Sequence, residues 1–242
     1  MIKFCVLGSG SGGNATYVEI DGKKILLDAG FSYSKLTEKL AGINQSITDI
    51  DYVFISHNHK DHIQALNKFK KSNPNAVITA CPDIIHGQAV IDNSSFIATP
   101  FLLSHDDPCY GYRLMDNCGN ALVYVPDTGY IPENVYPFLF DANAIILEFN
   151  HDVKMLTEGP YNVELQERIF GCEGHMNNED AGDVLEGIAW SGLEYVVCFH
   201  LSRNCNHPDL ARYEASRGLA GFSNCQVICA RQDEDTGMMF LV

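Results

Sequence analysis

The chain has 242 residues, 46% of them apolar, and carries 31 acidic against 16 basic side chains, a formal net charge of −15. That balance excludes a protein that coats nucleic acid by charge alone, and no apolar run approaches the roughly 20 residues of a membrane span. The start lacks the basic and long apolar regions of a secretory leader. The nine cysteines are scattered with no CxxC pair, which suits buried thiols better than disulfides or structural zinc, so a cytoplasmic protein is expected.

The first segment, IKFCVLG, reads as a buried strand and runs into the loop GSGSGGN. Residues 15–20 and 24–28 read as a hairpin closed by Asp21-Gly22. A helix is expected over 32–42 and a short apolar strand over 52–55, followed by a histidine-rich loop. Further on, 77–80 reads as a strand, 82–91 as a helix and 96–103 as a strand. Residues 109–115 and 121–125 read as a hairpin around 117–120. Residues 144–148 are an apolar strand, and helices follow near 160–171 and 178–190. The last elements are a strand at 195–199, a helix at 208–218 and strands at 226–230 and 238–242. Hairpins mixed with later helices imply two sheets with helices outside, in one domain spanning 1–242.

Gly8, Gly10 and Gly13 match GxGxxG after a strand, with Asp28 downstream. A dinucleotide site would need a helix after the last glycine. Here Thr16, Val18 and Ile20 alternate as in a strand, so that reading is rejected.

Residues 57–62 read His-Asn-His-Lys-Asp-His directly after a buried strand. Imidazole and carboxylate suit zinc and related transition metals. His57 and His59 can share one ion, while Asp61 and His62 point to a neighbour. One histidine here would more often be structural, but four donors at one strand end are hard to assign to chance. His105, Asp127 and His200 each follow an apolar strand and precede a turn, the same structural position. A carboxylate such as Asp127 can bridge two ions about 3.5–4 Å apart.

HxHxDH with a distant His, Asp and His resembles the metallo-β-lactamase superfamily. The segments LGSGSGGNAT, LLDAG, SHNHKDHI, DTGYIP, LEFNHDVKMLTEGPY, GHMNNEDAG and HLSRNCNHP resemble its YycJ (WalJ) family, related to ribonuclease Z and PhnP. The resemblance covers most of the chain and implies an αββα four-layer sandwich of two mixed sheets flanked by helices. It implies that His57, His59 and His105 hold one metal, that Asp61, His62 and His200 hold the other, and that Asp127 bridges. Three positions depart from the family pattern: Ala65 replaces a glycine, Pro126 a threonine, and Cys205 one of two asparagines before Pro208.

What the resemblance implies is a dinuclear metal-dependent phosphodiesterase, in particular a DNA exonuclease, with two divalent ions per chain (zinc or manganese, with iron or nickel able to replace them). Asp61 would accept the proton of the attacking water, and His175, by similarity to ribonuclease Z, would face the scissile phosphate. His151, Asn150, Ser202, Ser9, Ser11 and Asn14 are expected to contact substrate, with His151 alternatively supporting a ligand. No role is assigned to His86, read on a surface helix, or to His207. The expected partner is nucleic acid or a small phosphodiester, with no membrane association and with room for a homodimer. The acidic charge favours a small or cyclic phosphodiester, as for PhnP. Thioester or lactone hydrolysis on the same scaffold ranks lower, and a metal-binding sensor would predict lost ligands.

Overall fold

A computed structural model describes residues 1–80 and 85–242. In chain order it contains β1 (Ile2–Gly8), β2 (Ala15–Ile20), β3 (Lys23–Leu27), α1 (Tyr33–Gly42), β4 (Tyr52–Phe54), α2 (Lys60–Ile63), α3 (Leu66–Ser72) and β5 (Val77–Thr79). There follow β6 (Ile91–Asp92), β7 (Phe96–Leu103), β8 (Cys109–Asp116), β9 (Ala121–Val125), α4 (Tyr136–Leu139), β10 (Ala144–Glu148), α5 (Val153–Thr157) and α6 (Val163–Phe170). The chain ends with α7 (Asn178–Ile188), β11 (Tyr195–Phe199), α8 (Pro208–Gly218), β12 (Gln226–Cys229) and β13 (Met239–Leu241).

Two mixed sheets form, of six strands in the order β13-β1-β2-β3-β4-β5 and seven in the order β12-β11-β10-β9-β8-β7-β6. Alternation in β1 explains the layering. Ile2, Phe4 and Val6 enter the core between the sheets with Phe54, Tyr112, Tyr124 and Phe199. Cys5 and Leu7 point the other way, packing with Leu36 and Leu40 of α1 and Phe69 of α3. On the opposite outer face Val125, Ile145 and Leu147 pack against Leu185 of α7 and Ala211 and Ala215 of α8. The result is the expected four-layer αββα sandwich.

The central strands β9, β10 and β11 run parallel, as do β3 and β4. Being covered on both faces, they consist almost wholly of buried residues. Parallel strands place all their carboxyl ends at one edge of the sandwich, where ligands bind in such sheets.

The helix expected over 82–91 is corrected where it can be seen. Residues 82–84 lie outside the described residues, 85–90 form turns, and Ile91–Asp92 is a strand. Gly87 has φ +73°, and its N–H donates to Pro100 O at 2.8 Å. The segment pairs with the edge of β7 rather than with itself. His86 accordingly sits in a turn, its Nδ1 accepting the Leu102 N–H at 2.9 Å. The helices α2, α4 and α5 are too short for a helical period to stand out. No disulfide forms among the described cysteines, and no helix among the described residues is long and apolar enough to cross a membrane.

Candidate metal centre

Five strand ends converge at the edge of the sandwich. Asp28 follows β3, His57 lies just beyond β4, His105 follows β7, Asp127 follows β9 and His200 follows β11. His59 caps α2, which carries Asp61 and His62. All seven expected ligands therefore meet, in two sets. His57, His59, His105 and Asp127 form one set, and Asp61, His62 and His200 the other, each with donor atoms within 4.8 Å of one another.

Asp127 stands between them. Its Oδ2 lies 3.8 Å from His57 Nε2 and 4.0 Å from His105 Nε2. Its Oδ1 lies 3.5 Å from His62 Nε2 and 3.2 Å from His200 Nδ1. One oxygen faces each set, the geometry a bridging carboxylate needs.

The hydrogen-bond network assigns the tautomers. His57 donates Nδ1–H to Ser56 Oγ (2.9 Å), His62 to Asp28 Oδ2 (2.7 Å), His105 to Gly174 O (3.1 Å) and His200 to Glu148 Oε1 (2.8 Å). Each thereby turns its Nε2 edge toward the centre, the orientation metal-binding histidines adopt. His57 Nε2, His200 Nε2 and Asp127 Oδ1 are buried and make no hydrogen bond. An unsatisfied buried polar atom costs about 1–3 kcal/mol, so three together at one point mark a place for a cation. The donors suit divalent metal ions.

Charge supports the same fit. Burial opposes ionisation of Asp127, yet His200 and His62 outweigh it and hold the carboxyl well below its ordinary value. Burial likewise depresses His62, but Asp127 and Asp28 overcome it and push the imidazole up to about 10. The carboxylates thus demand positive charge, which bound cations answer equally well.

Two supporting carboxylates were not recognised from the sequence. Asp28 is fully buried and accepts from Ser56 N (2.7 Å), Ser56 Oγ (2.8 Å) and Tyr124 OH (2.7 Å) as well as His62. Glu148, the last residue of β10, accepts from Nδ1 of both His175 and His200 at 2.8 Å and from Thr128 N at 2.8 Å. The available signal was position: each is an acid closing an apolar strand, as Asp127 nearly is.

The expected substrate residues divide. A cleft of about 250 Å³ opens onto the centre, and Ser11, Asn150, His175 and Ser202 line it. Ser9 and Asn14 do not contact it and are reassigned. Ser9 is buried, its Oγ accepting His200 N–H at 2.7 Å and donating to Asn14 Oδ1 at 3.2 Å. Asn14 Nδ2 lies 3.3 Å from Asp61 Oδ2 and 3.0 Å from His62 Nε2. Both brace His200, Asp61 and His62, their hydrogen bonds committed inside the protein. Cys205 is buried, and Asn206 pairs with Asn178 through two 2.9 Å bonds, so this departure from the family pattern sits behind the cleft.

His151 also lies behind the cleft, buried, its ring edge-on to Phe170 at 5.2 Å and both nitrogens without a hydrogen bond. Burial lowers its pKa to about 4. Below pH 6.5 the unfolded chain takes up a proton here that the folded chain refuses until pH 4. Stability should therefore fall as pH drops through this window, by an amount of order 3 kcal/mol. Urea unfolding of His151→Phe between pH 7 and 4 should show a flatter pH dependence than wild type; an unchanged profile would contradict the assignment.

The model of the metallo-beta-lactamase superfamily matches residues 8–108. The exodeoxyribonuclease YycJ of Bacillus anthracis is 32% identical over 238 residues, covering 90% of this chain and 89% of its own. The exodeoxyribonuclease WalJ of Streptococcus pneumoniae serotype 2 is 29% identical over 246 residues, covering 90% and 88%. Among solved structures, the metallo-beta-lactamase fold protein YhfI from Bacillus subtilis superposes with a TM-score of 0.71 at 19% identity, covering 98% of both chains, a likeness of fold alone. With 90% of the chain matched by a relative at 32% identity, the chain belongs to the YycJ/WalJ family of the metallo-β-lactamase superfamily.

Proposed function

We propose that this protein is a metal-dependent phosphodiesterase that removes nucleotides from the ends of DNA, working with two divalent ions, zinc or manganese, and water as the nucleophile. The observation that carries the reading is the two-sided donor set, with Asp127 Oδ2 toward one group of histidines and Oδ1 toward the other. The two curated relatives named as exodeoxyribonucleases support the substrate class.

His57, His59 and His105 would hold one ion and Asp61, His62 and His200 the other, with Asp127 between. When bound, such ions supply Lewis acidity and positive charge to water and phosphoryl oxygens. The chain's own groups supply the proton traffic. Burial raises the pKa of Asp61, but His200 and His62 bring it below the ordinary carboxylate value, so it is ionised at neutral pH and able to accept the water proton. His175 faces the cleft with Nδ1–H bound to Glu148 Oε1 at 2.8 Å. Burial lowers its pKa and Glu148 more than restores it, leaving it above the ordinary histidine value. The protonated form of this imidazole can donate Nε2–H to the leaving oxygen.

A second reading, hydrolysis of a small or cyclic diester, draws on the acidity of the cleft, where Asp61, Asp106 and Asp127 all appear. Metal analysis with turnover on bis-p-nitrophenyl phosphate and end-labelled DNA separates the two. Chelation should abolish activity and lower Tm, because the ions stabilise only the folded state. Stepwise shortening of DNA supports the nuclease, cleavage of the chromogenic diester alone supports the small-diester reading, and inactivity of metal-loaded protein on both rejects phosphodiester chemistry.

A further inference from the structure

Helix α6 is unusual in its setting. None of its eight residues is buried, and Leu165, Arg168 and Ile169 form a wall of the cleft. Ile169 O accepts the His175 N–H at 2.9 Å. Arg168 reaches across to Asp106 on the facing wall, donating Nε–H to Oδ2 at 3.0 Å, with Nη2 on the same oxygen. Asp106 directly follows the expected ligand His105, and its Oδ1 lies 3.3 Å from His105 Nε2 and 3.4 Å from His59 Nε2. The guanidinium is thus held at the rim of the metal centre.

Among the described residues lining the cleft, Arg168 is the one side chain with a permanent positive charge, set against three carboxylates. In a chain of net charge −15, a polyanion entering this cleft needs a compensating group. The side chain of Arg168 is 62% exposed and that of Asp106 29%, so their ion pair is the weak, solvent-screened kind. A diester phosphate offers a guanidinium the same two-oxygen edge and the same single charge as a carboxylate. Exchange of one for the other costs little.

We infer that Arg168 exchanges Asp106 for a phosphate adjacent to the scissile one, and so determines preference for polynucleotides over diesters with a single phosphate. The inference rests on the phosphodiesterase reading of the same cleft. It makes Arg168 a specificity-determining contact, dispensable for the hydrolytic step itself.

The test compares metal-loaded wild type, Arg168→Ala and Arg168→Lys. Turnover is measured on a single-stranded oligodeoxynucleotide and on bis-p-nitrophenyl phosphate. Binding is read by fluorescence anisotropy of a labelled phosphorothioate oligonucleotide, which keeps its charges but resists hydrolysis, across a salt series. Arg168→Ala should raise KM for the oligonucleotide about tenfold with kcat within about twofold, and leave the one-phosphate diester unchanged. The slope of log Kd against log salt should shrink by about 0.7, the contribution of one single-strand phosphate contact. Arg168→Lys should restore the slope and part of the affinity, since charge returns without the fork. Equal losses on both substrates, an unchanged salt slope, or no measurable wild-type binding would each overturn the inference. If wild type cleaves neither substrate, the phosphodiesterase reading fails, and the anisotropy series still decides whether Arg168 contacts phosphate.

Discussion

Replacing Asp127 with alanine should lower turnover about a thousandfold and leave the protein with about half its metal or less. The size follows from its position. Losing one group that stabilises transition-state charge costs about 10²–10³ in rate, and losing a partner of a metal ligand costs about 10–100-fold in affinity. As the proposed bridge, Asp127 would bear on both through the ions it holds. Its Oδ2 lies 3.8 Å from His57 Nε2, and its Oδ1 lies 3.5 Å from His62 Nε2 and 3.2 Å from His200 Nδ1. No neighbouring carboxylate reaches both sets: Asp61 faces the His62–His200 side, Asp106 the His59–His105 side, and Glu148 is committed to His175, His200 and Thr128 N. Elemental analysis after gel filtration, beside turnover on bis-p-nitrophenyl phosphate, measures both effects. Near-normal metal content with near-normal rate would remove Asp127 from the centre.

The second large effect is expected at a residue with no side chain. A Cβ on Gly30 would stand 1.6 Å from Asp61 O, 2.3 Å from Asp61 C and 2.6 Å from Asn14 N. All three are backbone atoms, so no rotamer change relieves the clash. The loop is pinned on every side. Gly30 N–H donates to Asn14 O at 2.9 Å, Asn14 N–H to Asp61 O at 2.8 Å, and Ala29 N–H to His62 O at 2.7 Å. Gly30→Ala must therefore push the Asp61–His62 turn outward. Overpacking of this kind costs about 3 kcal/mol, or about 10 °C in Tm for a chain of this size. With Asp61 and His62 in their proposed roles, a displacement of about 1 Å should cost about 10²-fold in rate. Thermal unfolding together with turnover would show both changes; a variant with wild-type Tm and rate would mean the loop yields where the hydrogen bonds say it cannot.

The two carboxylates missed in the sequence show where its legibility ends. His57, His59, Asp61 and His62 lie within six residues, and their chemistry could be recognised without any fold. His105, Asp127 and His200 needed one more step, the notice that each follows an apolar strand. Asp28 and Glu148 satisfy the same rule. Asp28 drew attention only as the acid of a nucleotide motif, and Glu148 lay unremarked inside LEFNHD. Each acts through partners distant in sequence: Asp28 through Tyr124, 96 residues on, and Glu148 through His200, 52 residues on. Ser9 and Asn14 failed in the opposite direction. A glycine-rich loop with polar residues suggests phosphate, yet their hydrogen bonds go to His200, Asp61 and His62. Within the helix expected over 82–91, the described residues 85–91 pair with the edge of β7 instead, since unpaired backbone at a sheet edge competes with local helix formation.

The sequence by itself determined two sheets with helices outside, through the hairpins at 15–28 and 109–125, the apolar runs of β9, β10 and β11 and the helical stretches after them, because strand and helix periods are local. It also determined the metal-binding chemistry, because imidazole and carboxylate donors at strand ends have few other uses in such number. Only the tertiary structure decided which oxygen of Asp127 faces which histidines, which acids fix the tautomers of His62 and His200, and that Arg168 spans the cleft to Asp106. These depend on distances between strands and helices far apart in the chain, which no local pattern encodes and which the packing of the two sheets sets.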